Sequence, residues 1–224
     1  MAAAIIFDID GTLLDSVDLH AQAWQEAFRH FGREIPLVDI RSQIGKGGDQ
    51  LLPVFLPEGE LKAYGKELEE FRGRLFKEKY LAKVKPFPGV RELFLKVKEN
   101  GQKVALASSA KGDELKDFER IARIEDLVEV ETSSADAKKS KPHPDIFEAA
   151  LRRLGDHIRR EHVVVVGDSP HDAEAAKKAE LRTVGVRSGG FPEPDLWKAG
   201  CIAIYDGPED LLRQYEKSPL RKGG

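Results

Sequence analysis

No segment constrains the fold of this chain more than Ala4-Ile5-Ile6-Phe7-Asp8-Ile9-Asp10-Gly11. Its first four residues are apolar and consecutive rather than alternating, the pattern of a strand covered on both faces. Such a strand cannot hold Asp8 and Asp10 in its dry middle without a large desolvation cost, so both acids belong at its C-terminal end. Residues two apart on a strand point to one face, so the two carboxylates look into the same crevice. Crevices of that kind, at the carboxyl ends of parallel strands, are where open α/β sheets bind ligands. Taken alone, Asp8-Ile9-Asp10-Gly11 also reads as a polar turn. It is not a calcium loop of the EF-hand kind, because the ligand pattern fails at Leu13 and Leu14.

The remaining chain divides in two. From Asp15 to about Lys83 the apolar spacing is helical, with Asp15 or Ser16 as a cap and Leu19, Ala23, Trp24, Ala27, Phe28 and Phe31 on one stripe. A second long helix is predicted from Leu61 to Tyr80, and no strand is expected in this region. Roughly seventy residues of helix after one strand exceed an ordinary crossover, so residues 15–85 read as an inserted helical cap domain. Lys85-Pro86-Phe87-Pro88-Gly89 reads as the return linker, since it breaks helix and strand alike. Beyond it strands alternate with helices. Strands are predicted at 103–107, 128–131, 163–166, 183–186 and 202–204, and helices at 90–100, 113–123, 144–154, 172–179 and 208–216. The tail from Lys217 is expected to fray. The fold class is therefore α/β, a doubly wound parallel sheet (a Rossmann-like core of residues 1–14 and 86–224) carrying an α-helical cap.

Three strand ends carry unusual chemistry. The first gives Asp8 and Asp10, the second Ser108 and Ser109, and the strand Val163–Val166 gives Asp168, with Asp172 on the next helical turn. The loop after the short third strand gives Lys141. Individually each has an ordinary explanation: a helix cap for Ser108, a turn for Asp168, a dipole partner for Asp172, a solvated charge for Lys141. In a parallel sheet, however, all these ends share one edge. Four carboxylates in one crevice repel each other and take up protons unless a cation joins them. Oxygen ligands without His or Cys suit Mg²⁺, and a serine hydroxyl and a lysine ammonium beside it suit phosphate.

Asp8-Ile9-Asp10-Gly11-Thr12, Ser108, Lys141-Pro142-His143-Pro144-Asp145 and Gly167-Asp168-Ser169-Pro170-His171-Asp172 together resemble the four ordered motifs of the haloacid dehalogenase superfamily, in its helical-cap subfamily of phosphoglycolate phosphatase and beta-phosphoglucomutase type. Ser188-Gly189-Gly190-Phe191 is similar to a segment of phosphatase members. The resemblance covers nearly the whole chain. It implies that Asp8 is the nucleophile and becomes an aspartyl phosphate, and that Asp10 protonates the leaving oxygen and then activates water. It implies a Mg²⁺ site at Asp8, Asp10 (through its carbonyl), Asp168 and Asp172, and contacts from Ser108 and Lys141 to the transferring oxygens. Thr12, His20, Lys46, Asp49 and Ser109 are expected at the substrate, Lys46 and Asp49 from the glycine-rich stretch Gly45–Asp49 of the cap. That stretch is not a Walker loop, since no Ser or Thr follows Lys46.

The expected function is a Mg²⁺-dependent phosphatase for a small phosphorylated metabolite. A phosphomutase of the beta-phosphoglucomutase type shares every motif, and His20 fits it. Thr12, Gly167 and Asp172 depart from the mutase pattern. A receiver-type module with a phosphorylated Asp is disfavoured by Asp10 and by the inserted lobe. With a formal net charge of -3 and no long basic run, nucleic acid is not expected as a partner. No apolar stretch is long enough for a bilayer, the lone Cys201 excludes a disulfide framework, and no signal peptide is apparent. A cytoplasmic monomer or weak homodimer is the expectation.

Overall fold

A computed structural model describes residues 2–221. Its main sheet has six parallel strands: β1 (Ala4–Phe7), β4 (Lys103–Ala107), β5 (Val130–Thr132), β6 (Val163–Gly167), β7 (Arg182–Val186) and β8 (Cys201–Tyr205). They lie in the order β5-β4-β1-β6-β7-β8, so the winding reverses at β1 and β6. Phe7 is in register with Leu106 on one side and Val166 on the other. Asp8 therefore emerges level with the ends of both neighbours. The consecutive apolar pattern of β1 is explained by its two faces. Ile5 and Phe7 join one core cluster with Val104, Val164 and Phe94, while Ala4 and Ile6 join another with Phe147, Val165 and Ala176. The helices on the two faces are α5 (Val90–Glu99), α6 (Gly112–Ala122) and α10 (Pro208–Arg213) against the first, and α7 (Asp145–Leu154) and α8 (Pro170–Lys178) against the second.

Between β1 and α5 the chain forms α1 (Val17–His30), α2 (Leu37–Arg41), α3 (Gly48–Phe55) and α4 (Glu58–Leu75), which continues through one wider turn at Phe76–Tyr80. These helices bury an apolar cluster of their own, including Trp24, Phe28, Ile40, Leu51 and Leu68.

Three sequence expectations need correction. The return linker, expected to break strand as well as helix, instead supplies β3 (Lys85–Pro86), which pairs antiparallel with β2 (Leu14–Asp15) where the chain leaves and re-enters the core. Pro86 is tolerated because a two-residue edge ribbon needs few ladder bonds. A helix unforeseen in sequence, α9 (Glu193–Ala199), precedes β8. The tail is anchored as far as Leu220, which is fully buried. The Gln102 amide donates to the Leu220 carbonyl at 2.6 Å and also accepts from the Tyr215 hydroxyl. The last three residues, also part of the tail expected to fray, lie outside those described.

One buried acid in the core makes stability depend on pH. Glu119 of α6 faces Glu131 of β5, with Lys116 reaching both, and Glu119 Oε1 has no partner. Burial, reinforced by the Glu131 charge, pushes Glu119 up to about 7. The folded chain thus holds a proton that the unfolded chain releases above its ordinary value of 4.5. Stability from this group is full below that value and declines as pH rises towards 7. Glu119→Gln is expected to flatten this decline and to be more stable than the parent at pH 8 by about 1–2 kcal/mol. Urea melts at pH 5 and pH 8 test this: an equal difference between the two chains at both pH values would refute it.

Candidate active site

The reversal of the sheet at β1 and β6 brings their acids together. Asp8, Asp168 and Asp172 are all buried, and each offers a carboxylate oxygen within 4.8 Å of the others. Asp8 follows β1 directly and its N–H donates to the Val166 carbonyl at 2.9 Å. Asp168 follows β6. Asp172 is fixed by the start of α8, where its Oδ2 accepts from the Ser169 N–H at 3.1 Å and from the Ser169 hydroxyl at 2.6 Å. Its other oxygen accepts from Lys141 Nζ at 2.7 Å, and the same ammonium donates to Asp8 Oδ1. Thr12 spans the cluster, its hydroxyl lying 3.3 Å from Asp8 Oδ2 and 3.2 Å from Asp168 Oδ1.

Glycines make room for these acids. Gly11 turns the chain with a φ of +81°, and a Cβ there would overlap the Asp168 carboxylate. A Cβ at Gly189 would overlap the same carboxylate. The Ser188-Gly189 loop is pinned by the Ser188 hydroxyl, which donates to the Gly11 carbonyl at 2.7 Å.

Burial pushes Asp8 up to about 7, against the pull of Lys141 and with help from the Asp172 and Asp10 charges. Burial and the Asp172 and Asp8 charges hold Asp168 well above the ordinary carboxylate range. For Lys141 burial favours the neutral amine, but the charges of Asp172 and Asp8 outweigh it and raise the ammonium above its ordinary value. One ammonium is thus shared by Asp8 and Asp172, with Asp168 beside them. All-oxygen donors, acids starved of countercharge and a cradle closed to any side-chain growth fit a hard divalent cation. Asp8, Asp168 and Asp172 are the residues that could hold one.

Asp10 stands apart from that trio. Its Oδ1 accepts from the Ser16 hydroxyl at 2.5 Å and lies 2.9 Å from His20 Nε2. Burial works to raise Asp10, but His20 and Ser16 prevail and its carboxyl sits below the ordinary value. The His20 ring is stacked on Phe76 at 3.9 Å, which fixes the imidazole. Two carboxylates two residues apart are therefore biased in opposite directions, Asp8 toward its protonated form and Asp10 toward its ionised form, and a cation beside Asp8 would restore its charge.

A cavity of about 70 Å³ lies between the helical lobe and the sheet edge. Asp8, Asp10, His20, Lys46, Ser109 and Lys141 lie on its wall. Ser108 is buried beside it at the end of β4. Its oxygen accepts from the Ala110 N–H at 3.0 Å, and its own hydroxyl proton has no acceptor among the described residues. Asp49 is not on the wall. Its carboxylate accepts from the Ser140 N–H at 3.1 Å and from the Ser140 hydroxyl, joining α3 to the residue before Lys141. Arg41 of α2 donates to the Gly189 carbonyl at 2.8 Å, a second tie across the cleft. Sequence reasoning missed Ser16, read as a helix cap: it stands at that position, but its hydroxyl goes to Asp10. It also missed Trp24, Arg72 and Lys111 on the wall. The helical stripe placed Trp24 in a core, while Arg72 looked like one charge among many on α4.

Comparison with known proteins agrees with this geometry. The family model described as haloacid dehalogenase-like hydrolase matches residues 5–186. The chain is 32% identical over 213 residues to a phosphorylated carbohydrates phosphatase of Thermotoga maritima, covering 93% of this chain and 96% of that protein. It is 28% identical over 223 residues to a phosphoglycolate phosphatase of Nitrosospira multiformis, covering 96% of each. The crystal structure of a hydrolase from Pseudomonas syringae superposes with a TM-score of 0.85 at 26% identity, over 96% of this chain and 98% of that one.

Proposed function

The chain belongs to the haloacid dehalogenase-like hydrolase family, and from that membership we propose a Mg²⁺-dependent phosphatase that hydrolyses small-molecule phosphate monoesters through an aspartyl phosphate on Asp8. The carrying observation is the buried trio Asp8, Asp168 and Asp172, bridged by Lys141, with Asp10 held separately by His20 and Ser16. In this reading Asp8 attacks phosphorus, and the P–O bond to the leaving group breaks as the new one forms. Asp10, held in register by His20, must first take up a proton against the pull of His20 and Ser16; it gives that proton to the leaving oxygen and recovers one from the attacking water. Lys141 and the free hydroxyl proton of Ser108 meet the transferring oxygens, with Ser109 beside them. Thr12 keeps Asp8 and Asp168 oriented. Mg²⁺, held by Asp8, Asp168, Asp172 and the Asp10 carbonyl, would offset the charge gathered on the phosphoryl group.

The helical lobe, residues 15–85, is read as a cap domain that excludes water from the cleft and selects the substrate. Lys46 faces the substrate, whereas Asp49 serves closure through Ser140. The proposed setting is the cytoplasm, where small phosphorylated metabolites are at hand. The Thermotoga and Nitrosospira relatives support the phosphatase reading by their names.

The mutase reading has one observation in its favour: His20 engages Asp10, so water activation could be gated by closure. Against it, Thr12 donates within the acid cluster, where a bulky apolar residue could not, and Asp172 anchors Lys141. The test supplies beta-glucose 1-phosphate with a trace of the 1,6-bisphosphate and Mg²⁺, alongside para-nitrophenyl phosphate. Phosphate release from both without glucose 6-phosphate is the expected result, and chelator should abolish it. Rapid formation of glucose 6-phosphate with little free phosphate would overturn the choice.

A further inference from the structure

Arg72, near the C-terminal end of α4, is a polar group on the cleft wall that the proposed chemistry leaves unused. Its Nε and Nη1 are buried and have no hydrogen-bond partner. A guanidinium stays charged, so burial cannot be relieved by losing a proton. Among the described residues, the only other buried side-chain nitrogens or oxygens without partners are Glu119 Oε1 and His162 Nδ1. Two other arginines of the same lobe are matched, Arg33 with Glu60 and Arg41 with Asp18. Glu69, one turn earlier on α4, packs its carboxylate by Gly48 and lies farther than 4.0 Å from the guanidinium.

What Arg72 does have is Trp24. Its central carbon lies 4.8 Å from the ring centroid. Contact with a π face steadies the plane of the group but occupies none of its N–H donors. The guanidinium is therefore oriented and left with donors to offer. It lines the same cavity as Asp8 and Asp10, as does Lys46. Glu69 and Glu114 also lie on the wall, so a diffuse positive field is not what the cleft provides. It provides one directed fork, the geometry that matches two oxygens of a carboxylate or phosphoryl group.

We propose that Arg72 recognises a second anionic group on the leaving side of the substrate, so that the preferred esters carry a carboxylate or a further phosphoryl group besides the one transferred. This rests on the phosphatase reading and adds to it a substrate class and the residue that selects it.

The test compares kcat/KM for 2-phosphoglycolate and glucose 1,6-bisphosphate with that for glucose 6-phosphate, each relative to para-nitrophenyl phosphate, in the parent chain, Arg72→Met and Arg72→Lys. The parent should favour at least one of the two doubly anionic esters. Arg72→Met should lower that ester's relative kcat/KM about 30–100-fold, as expected for a lost charge-assisted pair of hydrogen bonds, and leave the relative value for glucose 6-phosphate nearly constant. Arg72→Lys should restore only part, since an ammonium cannot form the fork. A fall for 2-phosphoglycolate alone assigns a carboxylate to the subsite, and a fall for the bisphosphate alone a phosphoryl group. Equal losses across all esters, or none, would overturn the proposal. If Arg72→Met does not fold, an unchanged selectivity in Arg72→Lys does so instead. If the parent releases no phosphate from any ester, the phosphatase reading fails by itself. The subsite is then read by calorimetric titration of 2-phosphoglycolate and of glucose 1,6-bisphosphate, where equal affinities of the parent and Arg72→Lys for both would overturn it.

Discussion

Asp8→Asn is expected to abolish phosphate release, with a loss on the order of 10⁴-fold or more, and to leave the fold intact. The two expectations have one cause. Asp8 is 3% exposed, and burial pushes it up to about 7, so a neutral side chain of the same shape fits the site. Asparagine keeps an oxygen for Lys141 and relieves part of the repulsion from Asp172. What it cannot do is attack phosphorus. Stability in chelator should therefore remain within about 1 kcal/mol of the parent at pH 7, the ordinary range for a substitution that neither opens a cavity nor strands a charge. Acid-quenched protein incubated with a labelled ester should carry label in the parent and none in the variant. A variant with more than a trace of turnover would remove Asp8 from the role of nucleophile.

The sheet was legible because β1 and β6 are runs of apolar residues with no polar face. Only a strand buried on both sides tolerates that composition, and acids that follow such a strand must stand at its end. Asp8 and Asp168 were placed by this reasoning alone, before any resemblance was invoked. Lys141 needed more. Nothing in Lys138-Lys139-Ser140-Lys141 distinguishes the last lysine from its solvated neighbours, yet it is 1% exposed and bridges two acids. Only the order of motifs singled it out.

What stayed hidden depends on contacts between the helical lobe and the core. Asp49 sits in a glycine-rich stretch that looked suited to grip a ligand, and it grips Ser140 instead, because α3 starts there and aims its first turn at the core. Ser16 was hidden for a different reason. A serine before a helix almost always satisfies the helix, and only the position of Asp10 draws its hydroxyl away. The β2–β3 ribbon escaped because two residues carry no periodicity. The tail was misjudged because terminal residues fray unless something ties them down, and here Tyr215 and Leu220 are tied to Gln102.

Lys141→Met is expected to lower turnover by about 10³-fold and to destabilise the metal-free chain by about 2–4 kcal/mol. The side chain is 1% exposed, and its ammonium is the one cation in contact with the acid cluster among the described residues. Methionine nearly matches its volume, and Phe147, whose ring centroid lies 5.9 Å from Nζ, offers the thioether an apolar neighbour, so packing is largely kept. Charge is not. Asp8, Asp168 and Asp172 would face each other with no cation, and they can respond only by taking up protons. That response limits the destabilisation to a few kcal/mol, far below the cost of three stranded charges. It also removes the nucleophile, since a protonated Asp8 does not attack. Turnover falls further because no ammonium meets the transferring oxygens. The two losses can be separated. Urea melts at pH 7 with and without Mg²⁺ should show the stability gap narrowing when a divalent cation supplies the missing charge, while turnover in Mg²⁺ stays low. Recovery of turnover to within tenfold of the parent in Mg²⁺ would show that Lys141 serves only as a countercharge and does not contact the phosphoryl group.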